Sequence, residues 1–252
     1  MVTRAIKHVM GRFGFYVVRH PPPPPFPVDF DQDAINIVTA VRPYTMTTDE
    51  RIFALIEAVR YLARTGLDGS IVECGVWRGG SMMAVAHTLD RLGRRDVDLF
   101  LFDTYDGMTE PTEADVDYRG MPAGPEFSPT QKGADASDWC RAPLVEVEAN
   151  MIATGYPPEK IKLIKGKVED TIPGQAPRKI SLLRLDTDWY ESTHHELVHL
   201  YPRLSSGGVL IIDDYGHWRG SRKATDEYFA SSGVTPILLS RIDYTGRIGV
   251  KR

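Results

Sequence analysis

The amino-acid sequence predicts an α/β domain with a mainly parallel, doubly wound sheet. Short apolar runs alternate along the chain with stretches of helical periodicity, which is the pattern of successive βαβ units. Near the C-terminus, two apolar runs flank Thr245-Gly246, which predicts a closing hairpin. The length of 252 residues suits one large domain of this class.

Composition and charge argue against several classes of protein. The net charge of −4 argues against a large nucleic-acid footprint, which needs a concentrated basic face. None of the apolar runs approaches the length of a transmembrane segment. Cys74 and Cys140 do not suggest a disulfide framework, so a reducing, cytoplasmic setting is expected.

The first 32 residues are expected to form an arm outside the core. Basic and apolar residues alternate at helical spacing from Arg4 to Phe13, and Pro21 to Pro25 impose a polyproline II spacer. An arm that packs on its own domain or on a partner subunit is favoured over a helix on a membrane surface. The sequence therefore predicts an arm at 1–32, a domain at 33–252 and a homo-oligomer, dimeric or larger.

From Thr48 the pattern becomes regular, and the helix predicted there has a start signal and a stop signal. Thr48 or Asp49 can cap it, and Gly66 can end it. Its apolar stripe consists of Ile52, Leu55, Ile56, Val59 and Leu62.

The following elements are predicted from apolar runs and helical periodicity. The predicted strands are 70–74, 98–102, 161–164, 180–185 and 209–212, with hairpin strands at 236–239 and 248–250. The predicted helices are 82–92, about 140–154, about 190–203 and about 220–230.

Residues 109 to about 135 interrupt this regular pattern. The segment is acidic and rich in proline, with Glu110, Pro111, Pro122 and Pro125 among its residues. Loops of this length inside compact domains are usually lids or disordered segments. We expect a lid that helps to exclude water from a site.

The turn after the first strand, Glu73-Cys-Gly-Val-Trp-Arg-Gly-Gly-Ser81, is rich in glycine but lacks the dinucleotide fingerprint. Its glycines have the wrong spacing, and the bulky Trp77 leaves less room for a pyrophosphate. The tail of an amino acid fits such a turn better. Taken alone, the turn is equally consistent with a plain strand-to-helix connection.

Asp103 follows the second strand, where an acid can accept hydrogen bonds from ribose hydroxyls. The alternative is a cap for the turn at Asp106-Gly107. The combination of Asp103 with the glycine-rich turn favours a nucleoside-containing ligand.

Three further acids follow the last two main strands, Asp186 after one and Asp213-Asp214 after the other. If the strands are neighbours, these carboxylates converge and repel one another unless a cation joins them. Oxygen ligands without a cysteine or histidine cluster favour Mg²⁺. Alternatively, some of the acids cap helices or pair with Arg184, Arg219 or Lys223.

These motifs, in this order, resemble the macrocin and mycinamicin sugar O-methyltransferase family. The resemblance covers about residues 43–230. It rests on the motifs at 43–46, 72–81, 103, 166–173, 184–193 and 207–215.

The resemblance implies a Rossmann-like class I methyltransferase fold that uses S-adenosylmethionine and Mg²⁺. The turn would hold the methionine part of the cofactor, Asp103 the ribose, and residues near 168–170 the adenine, while Thr45 and Met46 close over it. The implied cofactor-binding residues are Thr45, Met46, Glu73, Gly75, Val76, Arg78, Gly79, Ser81, Asp103, Gly166, Val168, Glu169 and Asp170. The implied metal ligands are Asp186, Asp213 and Asp214.

The implied reaction is methyl transfer to a hydroxyl group of a sugar, in a glycosylated metabolite or a glycan. Asp186 is the first candidate for the base, and His217 is the second because it follows the metal-binding strand end. Trp189 stands where such motifs commonly have leucine, and His194 and His195 are expected at the surface. Three alternatives stay open: a catechol or phenol O-methyltransferase, an amino-sugar N-methyltransferase, and a non-catalytic S-adenosylmethionine-binding assembly protein.

Overall fold

The computed structural model describes residues 26–133 and 136–252. The chain divides into two compact units, Met1–Ile35 and Asn36–Arg252. The predicted polyproline spacer and most of the predicted arm, residues 1–25, lie outside the described residues. Among the helices that are described, none combines the length and the apolar character needed to cross a membrane.

A seven-stranded mixed sheet forms the centre of the second unit, in the order β3-β2-β1-β4-β5-β7-β6. Strands β1 to β5 run parallel, and β7 pairs antiparallel with both β5 and β6. The strands are β1 Ser70–Cys74, β2 Leu99–Asp103, β3 Ile161–Lys165, β4 Ile180–Leu185, β5 Leu204–Ile212, β6 Ser240–Arg241 and β7 Arg247–Val250. The predicted parallel sheet with a closing hairpin is confirmed.

Two helices precede the first strand, and the other helices follow or connect the strands. They are α1 Gln32–Val41, α2 Asp49–Thr65, α3 Gly80–Arg91, α4 Gly124–Phe127, α5 Leu144–Ala153, α6 Val168–Thr171, α7 Tyr190–Leu200 and α8 Arg219–Ala230. Helix α2 begins after the cap Thr48 and ends at Gly66, whose φ of 66° is in the left-handed region. Its whole predicted apolar stripe is buried, so these local signals identified the helix correctly.

The predicted position of the first hairpin strand is wrong. It was expected at 236–239, but β6 is only Ser240–Arg241, paired with Ile248 and Arg247. The carboxylate of Asp243 accepts hydrogen bonds from the backbone N–H groups of Thr245 and Gly246. This turn fixes which residues face each other, because hairpin register follows turn geometry.

The segment at 109–135 has more structure than a plain loop. It contains α4, and Asp117 forms an isolated bridge with Trp218. The buried carboxylate of Asp115 accepts a hydrogen bond of 2.8 Å from the backbone N–H of Tyr190, the first residue of α7. The segment is thus anchored beside the carboxyl ends of the strands, and its role as a lid stays a prediction.

Candidate active site

A cavity of about 710 Å³ lies at the carboxyl ends of β1, β4 and β5. An adjoining cavity of about 70 Å³ shares Gly75, Asp103 and Asp186 with it. The predicted site residues that line the larger cavity are Thr45, Met46, Gly75, Val76, Ser81, Asp103, Asp186, Asp213, Asp214 and His217. Gly166, a predicted cofactor residue, and Val168 and Glu169, two of the predicted adenine contacts, line the smaller one.

The glycine-rich turn is held by the carboxylate of Asp103. Its Oδ2 accepts hydrogen bonds from the backbone N–H groups of Val76 at 2.6 Å and Trp77 at 3.1 Å, and its Oδ1 accepts one from Tyr105 at 2.7 Å. Burial raises the pKa of Asp103, and these backbone donors oppose the rise. Asp103 is therefore a turn-capping acid, but the main turn that it caps is the glycine-rich one, whereas the N–H of Asp106 donates to Thr104 Oγ1. A ribose contact stays a prediction.

Gly75 lies where the turn approaches the end of β4. Its φ is 80°, and a Cβ built there would be 1.9 Å from the backbone oxygen of Asp186. Only glycine fits this approach, which keeps the first metal candidate directly against the predicted cofactor turn.

In the part of the chain that the structure describes, four predicted cofactor residues lie outside the lining of both cavities: Glu73, Arg78, Gly79 and Asp170. Glu73 is fully buried and pairs with Arg184, and Asp170 is exposed. Arg78 binds Glu146 and the carbonyl of Pro43, while Gly79 caps α3 with a φ of 90°. The direct contact of these four residues with the methyl donor stays a prediction.

The three acids after β4 and β5 converge. The two strands are parallel neighbours, with Leu185 opposite Ile212. One carboxylate oxygen from each of Asp186, Asp213 and Asp214 lies within 4.8 Å of the others. Residues from two separate strand ends therefore form one cluster that could hold a cation.

Two arginines also enter this cluster. Arg184 Nη1 donates to Glu73 Oε1 at 2.5 Å and to Asp186 Oδ2 at 2.7 Å, and its Nη2 donates to Asp213 Oδ1 at 2.6 Å. Arg51 Nη1 donates to the other oxygen of Asp213. The alternative that these acids pair with Arg184 is thus correct for Asp186 and Asp213.

The cluster nevertheless contains more carboxyl groups than guanidinium groups. Asp188, with a φ of 67°, is a further, half-buried carboxylate there, and burial followed by repulsion from Asp186 raises its pKa to about 7. Burial also raises the pKa of Asp186 and of Asp214, with repulsion from neighbouring acids adding to both shifts. Five carboxylates, including Glu73, face two guanidinium groups, so the donor set and the charge fit a divalent cation that prefers oxygen ligands.

Aromatic side chains form part of the wall of the larger cavity. The rings of Trp139, Trp189 and Trp218 contact one another with centroid separations of 5.0–6.3 Å. The Nε1 of Trp189 donates to the carbonyl of Thr109, which ties this cluster to the lid segment. Trp139 and Trp218 line the larger cavity, and Trp189, the unusual tryptophan of the motif, packs against both of them without being part of the lining.

His217 lies at the edge of this wall. Its ring contacts those of Trp218, Tyr118 and Tyr244, and burial lowers its pKa, so the ring is neutral near pH 7. His194 and His195 are half-buried rather than fully exposed. The lining described for the two cavities includes neither of them.

Sequence reasoning missed the roles of Arg51, Asp188 and Trp139. Arg51 lies one position before Ile52 and four before Leu55, at the edge of the buried stripe of α2. That position was the available signal for a buried arginine. Its partner Asp213 lies 162 residues further along the chain, and local patterns contain no information about that contact.

Comparison with known proteins gives a consistent result. The model of the macrocin-O-methyltransferase (TylF) family matches residues 37–249. One relative, the 8-demethyl-8-(2,3-dimethoxy-alpha-L-rhamnosyl)-tetracenomycin-C 4'-O-methyltransferase of Streptomyces olivaceus, is 32% identical over 81% of this chain and 74% of its own. The mycinamicin III 3''-O-methyltransferase of Micromonospora griseorubida is 30% identical over 76% of this chain and 72% of its own.

Solved structures agree on the fold. The O-methyltransferase NovP superimposes with a TM-score of 0.72 at 27% identity, over 82% of both chains. A calicheamicin methyltransferase gives a TM-score of 0.59 at 15% identity, over 92% of this chain and 94% of its own, and supports the fold alone. The expected Rossmann-like class I methyltransferase fold is confirmed.

Proposed function

Since the chain belongs to the macrocin-O-methyltransferase family, we propose that it transfers a methyl group from S-adenosylmethionine to a sugar hydroxyl, with Mg²⁺ bound. The acceptor is a glycosylated metabolite or a glycan. The resemblance noted in the sequence is thereby confirmed at the level of the family, and the family makes the chain an O-methyltransferase.

One observation carries the proposal: the acid cluster and the glycine-rich turn face the same cavity. Asp186, Asp213 and Asp214 would hold the cation, and Gly75 keeps the turn in contact with Asp186. A methyl donor on the turn and a hydroxyl at the cation would then be close neighbours, which is the geometric requirement for a direct transfer.

The binding of the methyl donor involves both cavities. Ser81, in the first turn of α3, lies where the N–H groups at a helix N-terminus can bind the carboxylate of the methionine part. The smaller cavity at Val168 and Glu169 would take the adenine. Thr45 and Met46 would close the larger cavity over the donor.

In the reaction, the acceptor oxygen forms a bond to the methyl carbon while the carbon–sulfur bond breaks and sulfur takes the electron pair. Bound Mg²⁺ would lower the pKa of the acceptor hydroxyl and orient it. Asp186 or the neutral His217 accepts the proton. The lid segment excludes water, and a water-poor site favours a reaction in which the positive charge on sulfur disappears.

The rim of the cavity supports an acceptor with an apolar part. Met46, Met121 and Tyr244 all line it, and 55–62% of each residue is exposed. Exposed apolar residues that cluster at one opening mark a binding surface rather than random surface positions. A glycoside can place its sugar at the acids and its apolar aglycone against this rim.

A catechol or phenol acceptor is the second candidate, because Trp139 and Trp218 offer aromatic surfaces to a flat ring. The amino-sugar N-methyltransferase and the non-catalytic assembly protein lose support, since the relatives named above are O-methyltransferases. The cytoplasmic location and the homo-oligomer stay predictions.

Acceptor assays with purified protein and S-adenosylmethionine carrying a labelled methyl group test this function. We expect label in glycosides that have a free pair of neighbouring sugar hydroxyls, and little label in their singly blocked analogues or in catechols. Preferential labelling of catechols would replace the sugar acceptor with the second candidate. Calorimetric titration should also show one site per chain for S-adenosylhomocysteine, whereas tight binding of NAD alone would contradict the proposed methyl donor.

A further inference from the structure

Arg51 contacts the acid cluster and the first turn of α2 at the same time. Its Nη1 donates to Asp213 Oδ2, and its Nε lies 3.0 Å from Asp243 Oδ2 and 3.4 Å from Thr48 Oγ1. Only 10% of the Arg51 side chain and 4% of the Asp213 side chain are exposed. Burial protects these charged contacts from water and salt, so they are stronger than surface ion pairs.

On one side of Arg51, the contacts continue through the acids. Asp213 Oδ1 accepts from Arg184, which also holds Asp186 and Glu73. The chain of ionic contacts therefore extends from the end of β5 across β4 to the end of β1, which precedes the glycine-rich turn.

On the other side of Arg51, the contacts reach the segment that precedes α2. Thr48 caps this helix and donates from Oγ1 to Asp243 Oδ2 at 2.8 Å. The preceding segment packs tightly on the glycine-rich turn, because a Cβ at Gly80 would be 2.5 Å from the carbonyl oxygen of Tyr44 and 2.7 Å from Thr45 Cβ. Thr45 is a wall residue of the larger cavity.

We propose that Arg51 is a positioning residue that makes the binding of the divalent cation and the binding of the methyl donor depend on each other. This inference rests on the proposed function, since it assumes both ligands. A cation at the acids changes how strongly Asp213 holds Arg51, and Arg51 has a second acceptor in Asp243 at 3.0 Å. How well Thr48 and the cavity wall before it are ordered then depends on whether a cation is bound at the acid cluster.

Linkage makes the effect reciprocal. If the cation strengthens donor binding by some factor, the donor strengthens cation binding by the same factor. The coupling needs no contact between the two ligands, because it passes through buried side chains of the protein.

The test is a calorimetric titration of S-adenosylhomocysteine with and without saturating Mn²⁺, repeated as a titration of Mn²⁺ with and without S-adenosylhomocysteine. In the unmodified protein we expect each ligand to tighten the other at least fivefold, which is the lower end of the usual range of about 5- to 150-fold. In Arg51→Gln the factor should fall to about one, since the bridge is lost while Asp186 and Asp214 are retained.

Arg64→Gln is the matched control, because it makes the same change of charge on the same helix at a side chain that is 66% exposed. It should keep the full factor. Asp243→Asn is a second variant that weakens the other end of the bridge, and it should lower the factor even if Arg51→Gln fails to fold.

Independent binding of the two ligands to the unmodified protein would overturn the inference and leave the proposed function intact. Unchanged coupling in a folded Arg51→Gln or Asp243→Asn variant would also overturn it. Failure of the unmodified protein to bind S-adenosylhomocysteine at all would instead refute the proposed function.

Discussion

Replacement of Arg184 tests whether its guanidinium group compensates the buried acids of the cluster described above. The guanidinium makes three ion pairs of 2.5–2.7 Å with Glu73, Asp186 and Asp213, and only 4% of its side chain is exposed. Arg184→Gln keeps a polar side chain of similar length but removes the counter-charge. When no cation is bound, the remaining buried carboxylates then lose the main positive charge that offsets their own.

Removing one partner of a buried ion pair costs about 3–5 kcal/mol, because an uncompensated charge stays in the interior. In a protein of this size, 1 kcal/mol corresponds to about 2–4 °C in the melting temperature, so a decrease of about 6–20 °C is expected. The control Arg95→Gln removes an exposed pair with Asp90, at 51% and 48% exposure, and should change the stability by less than about 1 kcal/mol.

The loss should depend on pH. Arg184 is the strongest influence that opposes the rise in the pKa of Glu73, so without it the acids take up protons more readily. The decrease in melting temperature should therefore be larger at pH 8, where the acids must be charged, than at pH 5. Thermal melting in EDTA, monitored by circular dichroism, measures both quantities. Equal losses for Arg184→Gln and Arg95→Gln, or a loss independent of pH, would refute the description of the cluster.

Three further predictions follow from single features. Burial raises the pKa of Glu73 to about 7 from its usual 4.5, so the folded protein holds a proton there that the unfolded chain releases, and stability falls as pH rises across this window. The free energy of unfolding of Glu73→Gln, relative to that of the unmodified protein, should thus rise by up to about 3 kcal/mol between pH 4.5 and pH 7 in melting experiments. A difference in stability that does not change with pH would contradict the raised pKa. Gly75→Ala should destabilise the protein far more than Gly93→Ala, since both positions have positive φ but only Gly75 approaches a backbone oxygen at 1.9 Å; similar melting temperatures would contradict this close approach. Deletion of residues 1–32 should lower the oligomeric state measured by light scattering, and an unchanged mass per particle relative to the chain would show that the arm does not assemble subunits.

Local signals in the sequence identified the elements that depend on local physics. The cap at Thr48 and the left-handed Gly66 set the ends of α2, and apolar runs identified β1 and β4 to the residue. Helix α6, with four residues, is too short for a periodic pattern to reveal it. The position of β6 depended on the turn at Asp243, which the composition of residues 236–239 does not indicate.

In the candidate site, too, features that follow from local sequence were predicted and features that depend on tertiary contacts were not. The rule that parallel strands end at one edge of the sheet was enough to bring Asp186, Asp213 and Asp214 together in the prediction. The ion pairs between these acids and arginines could not all be predicted, because Arg51 and Asp213 come together only in the tertiary structure. For Glu73, the motif suggested a ligand contact, but the strand buries its side chain against Arg184.

The most direct test of the account measures methyl transfer and S-adenosylhomocysteine binding together, before and after removal of metal. EDTA should abolish transfer to a glycoside acceptor, Mg²⁺ should restore it, and S-adenosylhomocysteine should still bind in both states, at least fivefold more weakly without the metal. Asp186→Asn should remain folded by thermal melting, bind S-adenosylhomocysteine and transfer almost no methyl, because the cation loses an anionic ligand and the acceptor loses a candidate base. Full transfer after thorough removal of metal would contradict the cation mechanism and leave His217 as the base of a metal-independent reaction.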